Sequence, residues 1–260
     1  MAGITSGNSF RGGLVGQKKM TSPQLDGQFT PFAASSLKLR NRFAMAPMTR
    51  QKSPGGIPNE ENVEYYRKRA AGGVGLIITE GTYVNAPAAG PSSDVPRFYG
   101  DASAAGWAEV AKAVHAEGAA IIPQLWHTGV ARGADVEFEP DLTSVSPSGV
   151  DVFHASTRRH WVPSFETAGT DPIGLAGWTK KVTGLPAITV GSVGLDSVFL
   201  SESQAVPGST RDRLDILRNQ FEREEFDVVA LGRALLADAA WVDKTQSGRF
   251  DDNVPFRKAA

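Results

Sequence analysis

The chain has 260 residues, enough for one large domain with a substantial core. Its formal net charge of −1 gives no general attraction to nucleic acid or to an anionic membrane, and we expect neither as a partner. The absence of cysteine excludes disulfides, thiolate metal sites and cysteine nucleophiles, and we predict no metal. No apolar run approaches the roughly 18–20 residues that span a bilayer. Since residues 1–30 lack the apolar core of a signal peptide, we expect a cytoplasmic protein.

Residues 1–38 show no sustained periodicity and are interpreted as an N-terminal arm or a cap over one end of the fold. Residues 39–260 are interpreted as a single domain, in which apolar, β-branched segments alternate with helical patterns. The six segments interpreted as strands are 42–48, 75–81, 120–126, 150–156, 186–190 and 226–231, of which the last two are interpreted as buried parallel strands.

A helical pattern follows each predicted strand except the third. Asn59 is predicted to cap a helix that ends near residue 71, with acidic residues in the first turns, where the helix dipole favours them. Asp101 and Thr210 are predicted caps of later helices, a short helix is expected over 175–182, and a final helix near Asp238. The alternation predicts a parallel sheet with right-handed crossovers. The usual closed barrel has eight strands, two more than this count.

Glycine-containing turns follow the last two predicted strands. Gly191 and Ser192 come after residue 190, and Gly232 and Arg233 come after residue 231. Backbone amides at such turns can face an anion, and barrels of this kind often hold a phosphate after strands seven and eight. Arg233 can form a fork to phosphate. From the residues alone, a surface ion pair for Arg233 and a purely steric role for the glycines stay open.

Seven strings of the sequence occur together in an order that is typical of one enzyme family. They are NRFAMAPMTR (41–50), YYRKRA (65–70), GLIITEG (75–81), PQLWH (123–127), STRR (156–159), ITVG (188–191) and LGRALL (231–236). Over about residues 37–256 the chain thereby resembles the old yellow enzyme family of FMN-dependent NAD(P)H oxidoreductases. The resemblance implies a (β/α)8 TIM-barrel fold, FMN as cofactor, NADH or NADPH as hydride donor, and an electron-poor alkene (enone) as substrate. A homo-oligomer is possible under this interpretation.

The resemblance also implies roles for individual residues. Pro47, Met48 and Thr49 are expected along the isoalloxazine, with the Thr49 hydroxyl, the candidate catalytic group, near the O4–N5 edge. The remaining implied residues are Gly81 and Gln124 on the pyrimidine side, Trp126 at the substrate pocket, and Gly191, Ser192, Gly232 and Arg233 at the phosphate. If the family is set aside, an ordinary structural role stays open for each of three residues. Thr49 could cap a turn, Gln124 could be a polar group at the sheet rim, and Trp126 could be a core residue.

One part of the family pattern is missing. Family members carry, on the fourth strand, a histidine followed three residues later by histidine or asparagine, with a proton-donor tyrosine nearby. No two of the four histidines, His115, His127, His154 and His160, are three residues apart. The string PSG at 147–149 resembles the loop after the third strand, whereas 150–154 resembles the sixth strand. We therefore expect a join near Gly149 and Val150 that removes strands four and five, roughly sixty residues or more.

The resemblance thus implies a barrel shortened to six βα units, with impaired activity; the alternative is a non-catalytic FMN-binding or non-folding fragment. Another alternative is a phosphate-binding barrel that acts on sugar phosphates. It would explain the glycine-containing turns near the C-terminus but not the strings at 45–50 and 123–126. If the ring stays open, the third and sixth family strands expose their edges. Other polar residues have ordinary interpretations: His154 as packed core, Tyr65 and Tyr66 as helix residues packing on the sheet, and Glu80 as an acceptor for backbone groups. The segment Arg158, Arg159 and Trp161 is interpreted as a flap, an interface or a solvated loop.

Overall fold

A computed structural model describes residues 24–85, 89–128, 150–163, 173–195, 197–198, 201–205 and 209–257. The expected join near Gly149 and Val150 falls at the edge of a stretch, 129–149, that lies outside the described residues, as does most of the proposed arm (1–23). The described end of the arm forms an antiparallel hairpin, β1 (Phe32–Ala34) and β2 (Leu37–Leu39).

The remaining strands and the helices follow in the predicted alternation. The strands are β3 (Phe43–Met45), β4 (Leu76–Tyr83), β5 (Ala120–Trp126), β6 (Phe153–Ser156), β7 (Ala187–Val190), β8 (Ser197–Val198), β9 (Ser201–Ala205) and β10 (Val228–Leu231). The helices are α1 (Glu60–Ala71), α2 (Asp101–Ala116), α3 (Leu175–Thr183), α4 (Thr210–Glu222), α5 (Arg233–Ala237) and α6 (Trp241–Gln246). In the described part of the chain, none of these helices is long and apolar enough to cross a membrane.

All six predicted strands are present and form one parallel sheet in the order β5-β4-β3-β10-β7-β6. Pairing of β3 with β10 joins the first and last strands of the alternation, as a closed barrel requires. Among the described strands, β5 and β6 have a neighbour on one side only, so the curled sheet is open between them. The open edges are the two that the shortened barrel predicts.

The two faces of the sheet pack differently because side chains alternate along each strand. Phe43, Ile77 and Val229 pack outward with buried side chains of the helices, including Tyr66 and Trp241. The inward face carries a second set, which packs with Phe32 and Leu39 of the β1–β2 hairpin. Its strand members are Ala44, Ala46, Leu76, Ile78, Ile188, Val228 and Ala230. The hairpin therefore covers part of the inner face of the sheet, while the interpretation of residues 1–38 as an arm or a cap stays a prediction.

The helix caps agree only in part with prediction. Asn59 caps α1 in a capping box with Asn62, as expected. The predicted cap Asp101 is wrong, because Gly100 holds that position without a side-chain bond and Asp101 is the first helical residue. Ser209, one residue before the predicted Thr210, caps α4. Asp238 instead lies between α5 and α6, where its carboxylate accepts the amide of Ala240 at 3.0 Å.

Candidate active site

A cavity of about 300 Å³ lies at the carboxyl ends of four strands, β3, β10, β7 and β6. Ligand sites of parallel α/β folds form at this end because the connecting loops converge there. Six residues predicted from sequence line this cavity: Pro47, Met48, Gly191, Ser192, Gly232 and Arg233. Residues distant in sequence, from 47 to 233, are thereby brought into one wall.

The turn after β7 is shaped by the loop that leaves β6. The amide of His160 donates to the carbonyl of Gly191 at 3.2 Å, and Ser192 Oγ donates to the carbonyl of Arg158 at 2.8 Å. A Cβ added to Gly191 would lie 2.7 Å from both the His160 nitrogen and Thr157 Oγ1. Glycine is therefore required at 191 by packing within the protein, independently of any ligand.

Gly232 lies in a different environment. A Cβ at this position would come no closer than 3.6 Å to Met48 Sδ and 3.9 Å to the Ala46 Cβ, which is ordinary contact distance. Ala46, Met48 and Gly232 all line the cavity. The protein itself leaves room for a methyl group here, and that methyl would occupy cavity space. Such a cradle fits a ligand that approaches the backbone closely.

The charges around the cavity favour an anion. Its wall includes the guanidinium groups of Arg158 and Arg233, and no acidic side chain occurs among the described residues that line it. Desolvation lowers the pKa of Arg233, which means that the surrounding protein penalises its charge. An anionic partner offsets that penalty through charge-assisted hydrogen bonds. The glycine cradle and the two guanidinium groups therefore fit the phosphate end of FMN.

Thr49 lies next to the cavity wall, on the loop that follows β3. Its side chain is exposed, and no described residue forms a hydrogen bond with its hydroxyl. The next residue, Arg50, binds the buried carboxylate of Glu80 through its backbone amide (3.0 Å) and its guanidinium (3.2 Å). The expectation that Glu80 accepts backbone groups at the rim is confirmed. Thr49 therefore directly precedes an anchored residue, Arg50.

The other three predicted residues lie on β4 and β5 and are not part of the cavity wall. Gly81 pairs in register with Gln124, whose side chain is exposed. The Trp126 ring occupies the space that a side chain at position 81 would need, because a Cβ added to Gly81 would lie 2.2 Å from Trp126 Cε3. Trp126 also packs on Tyr83, with ring centroids 5.8 Å apart. The roles of Gly81, Gln124 and Trp126 toward a flavin and substrate stay predictions.

Two cavity residues with ionisable side chains were not predicted as site residues from the sequence. His154 is exposed on β6 and lines the cavity, so its interpretation as packed core is wrong. Among the described strands β6 has a neighbour on one side only, and His154 lies on the face that lines the cavity, whereas Ala155 on the other face is buried. Arg158 also lines the cavity, although its segment was interpreted as a flap, an interface or a solvated loop and not as part of a binding site. Its position two residues after the end of a strand was the available signal.

The remaining aromatic and histidine residues have structural roles. Tyr66 is buried and its hydroxyl binds Glu80, and Tyr65 packs between the guanidinium groups of Arg50 and Arg69, each 3.6 Å from the ring centroid. The expected packing of both tyrosines is confirmed. His160 is buried, with Nδ1 2.8 Å from Gln220 Oε1. Burial is the main cause that lowers the pKa of His160 to about 4.

Comparison with known proteins identifies the family. The profile of the NADH:flavin oxidoreductase / NADH oxidase family matches residues 28–169, more than half of the chain. The chain belongs to this family. Its members are FMN-dependent NAD(P)H oxidoreductases of the old yellow enzyme type, so FMN is the cofactor of the family and a nicotinamide nucleotide its hydride donor. The match ends before the turns at Gly191 and Gly232, which therefore depend on their own geometry.

Curated relatives match part of the chain at moderate identity. 12-Oxophytodienoate reductase 7 of Oryza sativa subsp. japonica is 41% identical over 103 residues, 40% of this chain and 26% of the relative. Flavin oxidoreductase hxnT of Emericella nidulans is 36% identical over 133 residues, 49% of this chain and 33% of the relative. The chain thus spans about a quarter to a third of the length of these relatives.

Solved structures show the same fold. The old yellow enzyme from Trypanosoma cruzi aligns with a TM-score of 0.56 at 16% identity, covering 90% of this chain and 94% of that one. Morphinone reductase in complex with tetrahydroNAD aligns with a TM-score of 0.50 at 20% identity, covering 86% and 91%. These are TIM-barrel proteins, and the six-stranded curled sheet is consistent with a shortened barrel of that kind.

Proposed function

We propose that this chain binds FMN in the cavity at the ends of β3, β10, β7 and β6 and is an oxidoreductase of the ene-reductase type. The substrate class is an electron-poor alkene such as an enone, with NADH or NADPH as the reductant. The observation that carries the proposal is the convergence of six predicted residues on one cavity whose charged side chains are basic. Family membership supports the same cofactor.

Each group of residues has a distinct task in this proposal. Arg233 and Ser192, with the backbone at Gly191 and Gly232, hold the phosphate. Pro47 and Met48 supply an apolar wall along the ring system and exclude water from it. FMN, when bound, supplies hydride transfer between the nicotinamide and the alkene. The free Thr49 hydroxyl donates a hydrogen bond to the flavin edge and thereby stabilises negative charge on the reduced ring.

We further propose that turnover by this chain is slow. The histidine pair and the neighbouring tyrosine that polarise and protonate the alkene substrate in the family are absent from the sequence. Among the described strands, β5 and β6 each have a single neighbour, which supports the loss of the fourth and fifth strands that would lie between them. Binding of the cofactor and catalysis are therefore expected to be separable in this protein.

The test is anaerobic turnover by the FMN-loaded protein. We expect a flavin absorbance band that co-purifies with the chain, bleaching by NADPH or NADH, and cyclohexenone reduction far slower than by an intact family member. Arg233→Ala is the matched variant and should lose the flavin band. Enone reduction at the rate of an intact relative would contradict the impairment, and a chain that takes up no FMN would contradict the cofactor site.

A second candidate is a flavoprotein without turnover, favoured by the missing histidine pair. It predicts bound flavin with no measurable enone reduction over the uncatalysed rate. A chain that does not fold would instead show no cooperative thermal transition, which the continuous buried core of the described residues argues against. Thermal unfolding followed by circular dichroism separates this last case from the other two.

A further inference from the structure

Glu80 is a fully buried carboxylate at the cavity end of β4. Its Oε2 accepts the Arg50 amide at 3.0 Å, and its Oε1 accepts both Nε and Nη2 of Arg50 at 3.2 Å. The Tyr66 hydroxyl donates to Oε1 at 3.2 Å and accepts the Glu80 amide at 2.9 Å. A buried charge is tolerated only when it is paired and hydrogen-bonded in this way.

The backbone of β4 is irregular at this point. The register between β4 and β5 shifts between Ile78 and Gly81. An irregularity of this kind re-aims a side chain. Strict alternation from the inward Leu76 and Ile78 would point residue 80 inward, whereas Glu80 reaches Tyr66 of α1 on the helical side. The irregularity in β4 therefore directs the Glu80 carboxylate toward α1, where it binds Arg50.

Arg50 is fixed by a second contact. Its guanidinium lies 3.6 Å from the centroid of the Tyr65 ring, a cation–π contact that restricts its rotation. Burial raises the pKa of Tyr66 well above its ordinary value, so the hydroxyl keeps its proton and remains a donor to Glu80. The cluster Glu80, Arg50, Tyr65 and Tyr66, here called the Glu80 clamp, thus holds Arg50 through its backbone and its side chain.

The Glu80 clamp holds one end of the loop that carries Thr49. The other end is held where the Ala46 amide donates to the Leu231 carbonyl at 2.8 Å. Among the described residues, neither Met48 nor Thr49 forms a backbone hydrogen bond, and residue 47 is a proline without an amide hydrogen. Residues 47–49 at the candidate flavin wall are therefore positioned by the hydrogen bonds of Ala46 on one side and Arg50 on the other.

We propose that Glu80 is a positioning residue for the flavin edge, acting through Arg50 to hold the Thr49 hydroxyl where it can donate. This inference rests on the proposed function, because the flavin edge is the group that Thr49 meets. Glu80 itself contacts neither cofactor nor substrate in this assignment. Its removal should consequently alter what Thr49 does to a bound flavin more than it alters the affinity for the phosphate.

The first test needs no flavin. Amide hydrogen exchange is measured on the flavin-free full chain for the wild type and for Glu80→Gln. We expect exchange of the Arg50 amide to accelerate in the variant, since the neutral Gln side chain is a weaker acceptor and no longer forms an ion pair with the Arg50 guanidinium. The control is Asp227→Asn, which likewise neutralises a carboxylate that accepts an amide (Ala187, 2.9 Å) and a basic side chain (Lys180, 2.9 Å). It should leave exchange of the Arg50 amide unchanged.

The second test reads the flavin. In the FMN-loaded proteins, Glu80→Gln should lower the midpoint potential of the bound flavin by the same amount as Thr49→Ala. The double variant should show no further decrease, since both changes remove one interaction. Asp227→Asn should leave the potential unchanged even if it lowers the melting temperature, which separates positioning from general stability.

The outcomes distinguish this inference from the proposed function. Unchanged exchange of the Arg50 amide, or additive shifts of potential in the double variant, would overturn the role of Glu80 while FMN binding stands. A wild-type chain that takes up no FMN would overturn the proposed function and with it the flavin role of Glu80. Accelerated exchange together with non-additive potentials would establish the inference.

Discussion

His160 is the buried histidine of the loop that covers the turn after β7, and it makes folding sensitive to acid. Its pKa falls from 6.5 to about 4, chiefly because burial disfavours the charged ring. In the unfolded chain the ring is protonated below its ordinary pKa, so between these values the unfolded state binds more protons. Stability therefore decreases as the pH falls from about 7 to 4, by on the order of 3 kcal/mol from this group.

The prediction is checked by urea denaturation of the wild type and of His160→Asn at a series of pH values. Asn retains a polar group for Gln220 but does not titrate, so the variant should be less stable at pH 7 and show a shallower loss toward pH 4. The same slope in both proteins would show that His160 is not the group responsible.

The glycines at 191 and 232 should respond differently to one added methyl group. Gly191→Ala places a Cβ against the backbone of the loop after β6 and should destabilise the fold by about 1–3 kcal/mol. Gly232→Ala has room for its methyl group, although its backbone at φ −103° and ψ −101° lies outside the main regions allowed for alanine, so it should lose less stability than Gly191→Ala while FMN affinity falls. Denaturation and flavin titration measure the two effects. Equal loss of stability in both variants would contradict the distinction.

At the scale of single residues, the sequence predicts that Gly191 and Gly232 both lie in turns. It does not show why each position needs a glycine. Gly191 and Gly232 follow strands in the same way, and only the loop from Thr157 to His160 separates a steric need from a ligand cradle. The sequence likewise could not place His154 in the cavity wall, because an inward position on a closed barrel and an exposed position on an edge strand have the same local pattern.

Among the elements, α1 and α2 test how far caps can be predicted. Asn59 accepts the amides of Glu61 and Asn62, so Asn59→Ala should cost about 1 kcal/mol. Asp101 makes no capping bond, and Asp101→Ala should cost only about 0.5 kcal/mol through the helix dipole. Chemical denaturation measures the free energy of unfolding of the two variants. A larger loss of stability in Asp101→Ala than in Asn59→Ala would refute the assignment of the caps.

Strand positions were predicted more reliably than helix starts. Each strand of the parallel sheet lies in a segment of mainly apolar residues, and β5 has the predicted bounds of 120–126, although most of its residues are exposed. Helix starts failed by one residue where two candidate caps adjoin, as at Ser209 and Thr210. The irregularity of β4 that turns Glu80 toward α1 has no signature in the sequence, because it arises from pairing with β5.

For the whole molecule, the open sheet is the feature with the clearest consequence. β5 presents an unpaired edge in the described structure, and Leu125 on it is 56% exposed. Exposed parallel edges with apolar side chains favour association. We expect concentration-dependent self-association that Leu125→Lys reduces. The control is Val182→Lys on α3, where the valine is 78% exposed but lies on no sheet edge.

Light scattering over a concentration series measures this prediction. Val182→Lys should associate like the wild type, and a similar reduction by both lysines would point to general charge rather than to the edge. The six strands of the described parallel sheet, and the identity of its two edges, were predicted from the sequence, because the resemblance implies that strands four and five of the family are absent. Pairing of β3 with β10 across the ring followed from the barrel fold that the resemblance implies.

The central claim is that the turns after β7 and β10 bind the phosphate of FMN. The most direct measurement is equilibrium titration of the purified chain with FMN and with riboflavin, which differ only in that phosphate, followed by flavin fluorescence. We predict saturable FMN binding, much weaker riboflavin binding, and loss of the difference in Arg233→Ala. Equal binding of the two flavins, or an FMN affinity that Arg233→Ala leaves unchanged, would contradict the account.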